Sequence, residues 1–110
     1  MNSSKLVLVL LVLIFASNVA AQDRTVLLEN GKVRVVQVLL DPGVVYPPHT
    51  HDLPHVGVII KGGTLEFHEG ETVEKVTFED GDTGWREAGV THSITNTSPH
   101  SVHIVEVELK

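Results

Sequence analysis

Short apolar runs separated by turn-forming residues extend from Thr25 to the end of the chain, and none of them continues into a helical period. The pair Asn30-Gly31 between the first two runs is typical of a β-hairpin turn. The runs predicted as strands are residues 25–28, 33–40, 56–61, 64–68, 72–78, 83–87, 91–97 and 101–109. Many short strands at near-regular spacing predict an all-β antiparallel sandwich or barrel, because a closed sheet protects its edges.

The N-terminal segment, residues 1–21, has the pattern of a signal peptide. Lys5 supplies a short positive region, and residues 6–16 form an apolar core, shorter than the roughly 20 residues of a spanning helix. Val19-Ala20-Ala21 then supplies small residues for cleavage before Gln22. We therefore expect a periplasmic or secreted protein with one domain over residues 22–110, the alternative being an uncleaved membrane anchor.

Charge and cysteine content exclude several functions. The chain has 8 Lys and Arg against 14 Asp and Glu, a net charge of −6, which argues against nucleic acid or an anionic membrane as partner. Its lack of cysteine excludes disulfides and thiolate chemistry. A small exported domain without disulfides needs other support, which a bound metal or a homodimer would provide.

Four histidines are the candidate chemistry of the chain. His49 and His51 are two residues apart, so on an extended strand both imidazoles leave the same face, and His55 has the same parity. His92 lies far along the chain, but distant strands can be neighbours in a barrel. Neutral imidazole suits divalent Mn, Fe, Zn, Ni or Cu better than Ca or Mg. We interpret the four as metal ligands rather than as polar loop histidines.

These histidines lie in two motifs that resemble those of the cupin superfamily. The first cupin motif is a glycine, five residues, His-x-His, three residues, an acid, six residues and a glycine. Its counterparts here are Gly43, His49, His51, His55 in place of the acid, and Gly62. The second motif is matched by Gly81, Glu87 in place of a proline, Gly89, His92 and Asn96.

The resemblance implies a small double-stranded β-helix, or jelly roll, over nearly all of the chain after the leader. With His55 in place of the acid, the site resembles the small cupins that bind metal through four imidazoles. Asn96 is expected to hold a turn or strand end by side-chain hydrogen bonding, not to bind metal.

Four other residues are candidates for a pocket beside the metal: Tyr46, Trp85, His103 and Gln37. For Tyr46 and Trp85 the alternatives are the pocket mouth and ordinary packing. His103 shares parity with Val105 and Val107, which predicts that it points into the barrel, as a core or rim histidine or as an acid–base group.

The predicted site suggests a function but assigns no catalytic residue. Four neutral ligands leave two positions free on an octahedral ion and its full charge uncompensated, so the ion should bind anionic oxygen donors as a Lewis acid. The first hypothesis is a metal-dependent oxygenase of the dioxygenase type acting on a small molecule. The alternatives are a non-catalytic periplasmic module that binds a metal or small ligand, and a cupin isomerase.

Overall fold

The computed structural model of the protein describes residues 22–110, which form strands and turns without a helix. The predicted leader lies outside the described residues. The strands are β1 (Gln22–Glu29), β2 (Val33–Leu40), β3 (Val45–Thr50), β4 (His55–Lys61), β5 (Gly63–Glu69), β6 (Thr72–Phe78), β7 (Thr83–Arg86), β8 (Thr91–Asn96) and β9 (Val102–Leu109). Residues 22–110 include no helix that could cross a membrane.

The strands form two antiparallel sheets, which confirms the predicted fold class. The first sheet has the order β1-β2-β9-β4-β7 and the second the order β3-β8-β5-β6. Chain neighbours such as β3 and β4 lie in different sheets, so the chain crosses repeatedly between them, as in a jelly roll. This crossing brings β8 beside β3 although more than 40 residues separate their histidines.

The core lies between the two sheets. Its buried apolar side chains are Val36, Val38, Leu40, Val44, Ile59, Leu65, Ile94, Val102 and Ile104. Full burial of such a side chain stabilises the fold by roughly 1.5–3 kcal/mol. These residues alternate along β2 and β9, which sets the inner face of the first sheet.

The predicted strands match the structure, with one strand missed. Their ends differ by at most three residues, and the hairpin at Asn30 forms, with its Oδ1 accepting hydrogen bonds from the backbone N–H of Lys32 at 2.8 Å and of Val33 at 3.0 Å. Strand β3 was not among the predicted runs. It contains Pro47 and Pro48, which have no N–H to donate, and its pairing with β8 shifts register between Tyr46 and His49.

Asn96 holds the end of β8, which confirms the role predicted for it. Its side chain is fully buried, and its Nδ2 donates to the carbonyls of Leu40 at 2.9 Å and His100 at 3.0 Å. Its Oδ1 accepts from the N–H of Ser98 at 2.9 Å. One side chain therefore joins the end of β8 to β2 and to the turn before β9.

The inward orientation expected for His103 is wrong. Strand β9 buries Val102, Ile104 and Glu108, so His103 at the alternate position points to the outer face of the first sheet. There its Nε2 lies 3.0 Å from Oε1 of Gln37, which lies between buried Val36 and Val38 and also points outward. Both side chains therefore lie outside the pocket predicted for them.

Candidate metal centre

Three histidines meet on the inner face of the second sheet, where β3 and β8 pair. His49 of β3 lies directly opposite His92 of β8, so both imidazoles point to the same side. His51 follows β3 and is fixed by two backbone hydrogen bonds, from its N–H to the carbonyl of Val90 at 3.0 Å and from the N–H of Gly89 to its carbonyl at 2.7 Å. Gly89 has a φ of +90°, a conformation that a residue with a Cβ rarely adopts.

The ring nitrogens of these histidines converge. Nε2 of His51 lies 3.2 Å from Nε2 of His49 and 3.0 Å from Nε2 of His92. The Nδ1–H of His49 donates to the carbonyl of Pro47 at 2.9 Å, so its Nε2 presents a lone pair toward the other two. Ligand nitrogens about 2.1 Å from one ion and at right angles to each other are about 3.0 Å apart, so the spacing fits a shared metal.

His55 lies beside this group rather than within it. Its ring centre is 4.4 Å from that of His51, and its Nε2 is 3.6 Å from Oε2 of Glu106. Two overlapping sets of ligand atoms lie within 4.8 Å of one another, one formed by His49, His51 and His92, the other by His51, His55 and Glu106. The structure thus brings three of the predicted ligands to one point and His55 to an adjoining one, and a four-histidine ligand set stays a prediction.

The environment of the cluster favours the neutral form of His51, His55 and His92. Burial, followed by the charges of neighbouring histidines, lowers the pKa of His51 to about 4 and that of His92 to about 3. Burial also lowers the pKa of His55, against an opposing effect of Glu108. Neutral imidazole is the form that binds metal, so the donors are ready for an ion at neutral pH.

Glu106 was missed by the sequence analysis. It lies on the inner face of β9, where burial, and then the neighbouring charge of Glu108, raises its pKa to about 7. Glu108 itself is buried and ion-paired with Arg34 at 2.6 Å and Arg24 at 3.5 Å. The sequence contains the signal, because Glu106 and Glu108 occupy alternate positions, but the apolar Val105 and Val107 between them indicate the opposite face as the inner one.

Two cavities flank the cluster and share Ile94, Ile104 and Glu106 as lining residues. The first cavity, about 290 Å³, is lined by Tyr46, whose ring centre is 4.5 Å from that of His49. The second, about 320 Å³, is lined by His55 and His92 and has half-exposed Trp85 at its edge. Tyr46 and Trp85 therefore lie beside these two cavities, whereas His103 and Gln37 on the outer face do not.

The remaining histidines lie away from the cluster. His68 is partly exposed, and its Nε2 is 2.7 Å from Glu66. His100 is exposed in the turn before β9. Both therefore lie at the surface of the protein.

The two facing sheets and the interior histidine cluster define a small double-stranded β-helix protein with a candidate metal centre. The chain is 34% identical over 86 residues to the β-alanine degradation protein BauB of Pseudomonas aeruginosa, covering 78% of this chain and 90% of that protein. No protein-family model matches the chain.

Solved structures of cupin and double-stranded β-helix proteins superpose on this chain. A cupin domain from Bordetella pertussis superposes with a TM-score of 0.78 at 27% identity, over 83% of this chain and 95% of that one. A double-stranded β-helix protein from Klebsiella pneumoniae superposes with a TM-score of 0.68 at 26% identity, over 84% of this chain and 79% of that one. The chain belongs to the cupin superfamily.

Proposed function

We propose that this cupin binds one divalent transition-metal ion through His49, His51 and His92 and uses it to act on a small oxygen-donor substrate. The observation that carries the proposal is the convergence of three Nε2 atoms at 3.0–3.2 Å. One imidazole can donate a proton to only one of its neighbours, so such a group is unfavourable unless a cation accepts the lone pairs.

His55 and Glu106 have a supporting role in this proposal. Both lie next to His51, within reach of an ion that shifts toward them or of a substrate beside it. Glu106 in its ionised form would offset part of the ion's charge, which imidazole ligands leave uncompensated. The first cupin motif has an acid at the position of His55. In this protein, Glu106 of β9 supplies a carboxyl group next to that position.

The reaction we propose first is oxygenation of the dioxygenase type, in which bound iron, manganese or copper would supply Lewis acidity and electron transfer to dioxygen. The cavities of about 290 and 320 Å³ suit a small molecule. The similarity to a protein named for β-alanine degradation favours a small carboxylate metabolite as substrate, because β-alanine is itself an amino carboxylate.

The test begins with metal content and proceeds to oxygen uptake. Protein loaded with Fe(II) without air is mixed with diketones, phenols, thiols and small oxo acids, and oxygen consumption is recorded. We expect the wild type to consume oxygen with at least one of these classes of compound. The His92→Ala variant should consume no oxygen above background. Turnover without oxygen consumption would indicate an isomerase, and tight calorimetric binding without turnover would indicate a binding module.

Export through the predicted leader is part of the proposal. N-terminal sequencing of the mature protein from a bacterial host with a periplasm should begin at Gln22. A chain that retains residues 1–21 and pellets with membranes would instead support the anchor.

A further inference from the structure

Arg86 is a cationic side chain on the wall of the second cavity. It lies at the end of β7 directly opposite His55 of β4, and antiparallel partners in register point to the same face. Its guanidinium carbon lies 4.9 Å from the centre of the Phe67 ring. This contact with the ring face holds the side chain and leaves its N–H donors free.

Within residues 22–110 the side chain of Arg86 makes no hydrogen bond and has no carboxylate within 4.0 Å. The other two arginines differ, because Arg24 and Arg34 are both paired with Glu108. Two carboxylates line the same cavity, Glu74 on β6 and Glu106 on β9, but neither pairs with Arg86. A partly buried guanidinium without an anion is unfavourable, so an anionic ligand would complete the site.

The rest of the cavity limits the size and shape of that ligand. Its volume of about 320 Å³ is at the lower end of ligand pockets, and its wall includes the apolar side chains Leu65, Val76 and Phe78. His55 and His92 line it as well, so the metal centre lies at the same cavity. Because a cavity of this volume holds only a small molecule, a ligand that reaches from the guanidinium of Arg86 to the histidines is short.

We propose that Arg86 binds the carboxylate of a short-chain oxo- or hydroxy-carboxylate whose second oxygen faces the metal centre. The inference rests on the proposed function, since the second contact needs the ion. The planar guanidinium fork binds a carboxylate through two parallel hydrogen bonds, which orients the chain of the substrate as well as holding it. Arg86 thereby selects acids over neutral analogues of the same shape.

The test compares an acid with its neutral amide. Zn(II)-loaded protein is titrated calorimetrically with 3-hydroxybutanoate and 2-oxobutanoate and with the corresponding amides. We expect the wild type to bind an acid at least tenfold more tightly than its amide. Arg86→Gln should weaken acid binding about ten- to hundred-fold and abolish the preference, because it removes a charge-assisted pair. Arg86→Lys should retain part of the preference, since it keeps the charge and loses the fork.

The matched control is Arg24→Gln, which removes an arginine from the first cavity and should leave the preference unchanged. Zinc content measured for each variant separates this inference from the proposed function. Preference retained in Arg86→Gln, preference lost in Arg24→Gln, or no preference or binding in the wild type would overturn the assignment. If Arg86→Gln does not fold, the Arg86→Lys variant tests the assignment instead. An unchanged preference of that variant for the acid over its amide would count against the contact through two hydrogen bonds.

If the wild type takes up no zinc, the proposed metal function fails. The same titrations on metal-free protein then test Arg86 alone: an acid preference abolished by the glutamine substitution supports it, and equal binding of acid and amide overturns it.

Discussion

At the scale of single residues, the proposed metal centre depends on the lone pairs of the histidine cluster. His92 is the proposed ligand that lies farthest along the chain, and its Nε2 is 3.0 Å from that of His51. We expect His92→Ala to weaken Zn(II) binding at least about 100-fold, because loss of a second-shell partner alone typically costs 10–100-fold. Isothermal titration calorimetry measures this. His68→Ala is the control, since His68 pairs with Glu66 at the surface; equal affinities for the two variants would refute the assignment.

Glu106 gives a prediction for the metal-free protein. Its pKa is raised from 4.5 to about 7, so its contribution to stability is complete below pH 4.5 and is lost as the pH rises through 7. Glu106→Gln should therefore stabilise the metal-free protein at pH 8, by up to about 3 kcal/mol, and have little effect at pH 4.5. Urea unfolding in EDTA at the two pH values provides the comparison.

Exposed Glu74 on β6 supplies the control for that experiment, since Glu74→Gln should change stability equally little at both pH values. The interpretation of Glu106 as a buried carboxyl group would be wrong if its substitution behaved in the same way as this control.

At the scale of elements, the end of β8 depends on one side chain. Asn96 makes three hydrogen bonds while fully buried, and Asn96→Ala leaves the Leu40 and His100 carbonyls and the Ser98 N–H without that partner. Each buried group left unpaired costs about 1–3 kcal/mol, so a loss of roughly 3 kcal/mol or more in the free energy of unfolding is expected. Chemical denaturation measures it.

The exposed Asn30→Ala provides a comparison at the first hairpin and should have a smaller effect, because its partners can bond to water. A loss for Asn96→Ala no larger than that for Asn30→Ala would show that the end of β8 is held by other contacts.

Strand β9 shows why the alternation of apolar and polar residues alone predicts the wrong inner face. The outward residues of the central strands β2, β9 and β4 include no acid or Arg and one Lys, Lys61 at the end of β4, which pairs with outward His103. Most of the others are apolar, among them Val35, Val56, Val58, Val105 and Val107. The inner face near the cavities instead has Glu106, Glu108 and Arg34. A rule that places apolar residues inside therefore selects the wrong side of this strand.

At the scale of the whole molecule, that mainly apolar outer face leads us to expect a homodimer. An apolar face is complementary to an equally apolar one, and the same face of a second copy supplies it. Light scattering after size-exclusion chromatography should give twice the monomer mass. Val105→Glu should convert the protein to a monomer, whereas Val73→Glu, at an exposed site on the other sheet, should not. A wild-type monomer at micromolar concentration would exclude this.

Acid should unfold the metal-free protein at a pH set by the buried histidines. Their folded pKa values lie below the ordinary 6.5, so the stability they contribute is complete above pH 6.5 and is lost as the pH falls toward 4. His51 and His92 together give a slope of about 2.7 kcal/mol per pH unit, of which Glu106 offsets about 1.4 above pH 4.5.

Circular dichroism during acid titration measures the transition, which bound Zn(II) should move to lower pH because an ion that binds only the folded state stabilises it. Coincident acid transitions with and without zinc would mean that the site does not hold the ion.

The sequence by itself determined every strand except β3, the fold family and the histidines that converge. Turn residues and β-branched runs act locally, and His49, His51 and His92 have fixed positions in motifs that a jelly roll brings together. Only the tertiary structure decided which face of β9 is interior, and with it the place of Glu106 beside His55. It likewise decided that Arg86 has no acidic partner, because both facts depend on contacts between strands far apart in the chain.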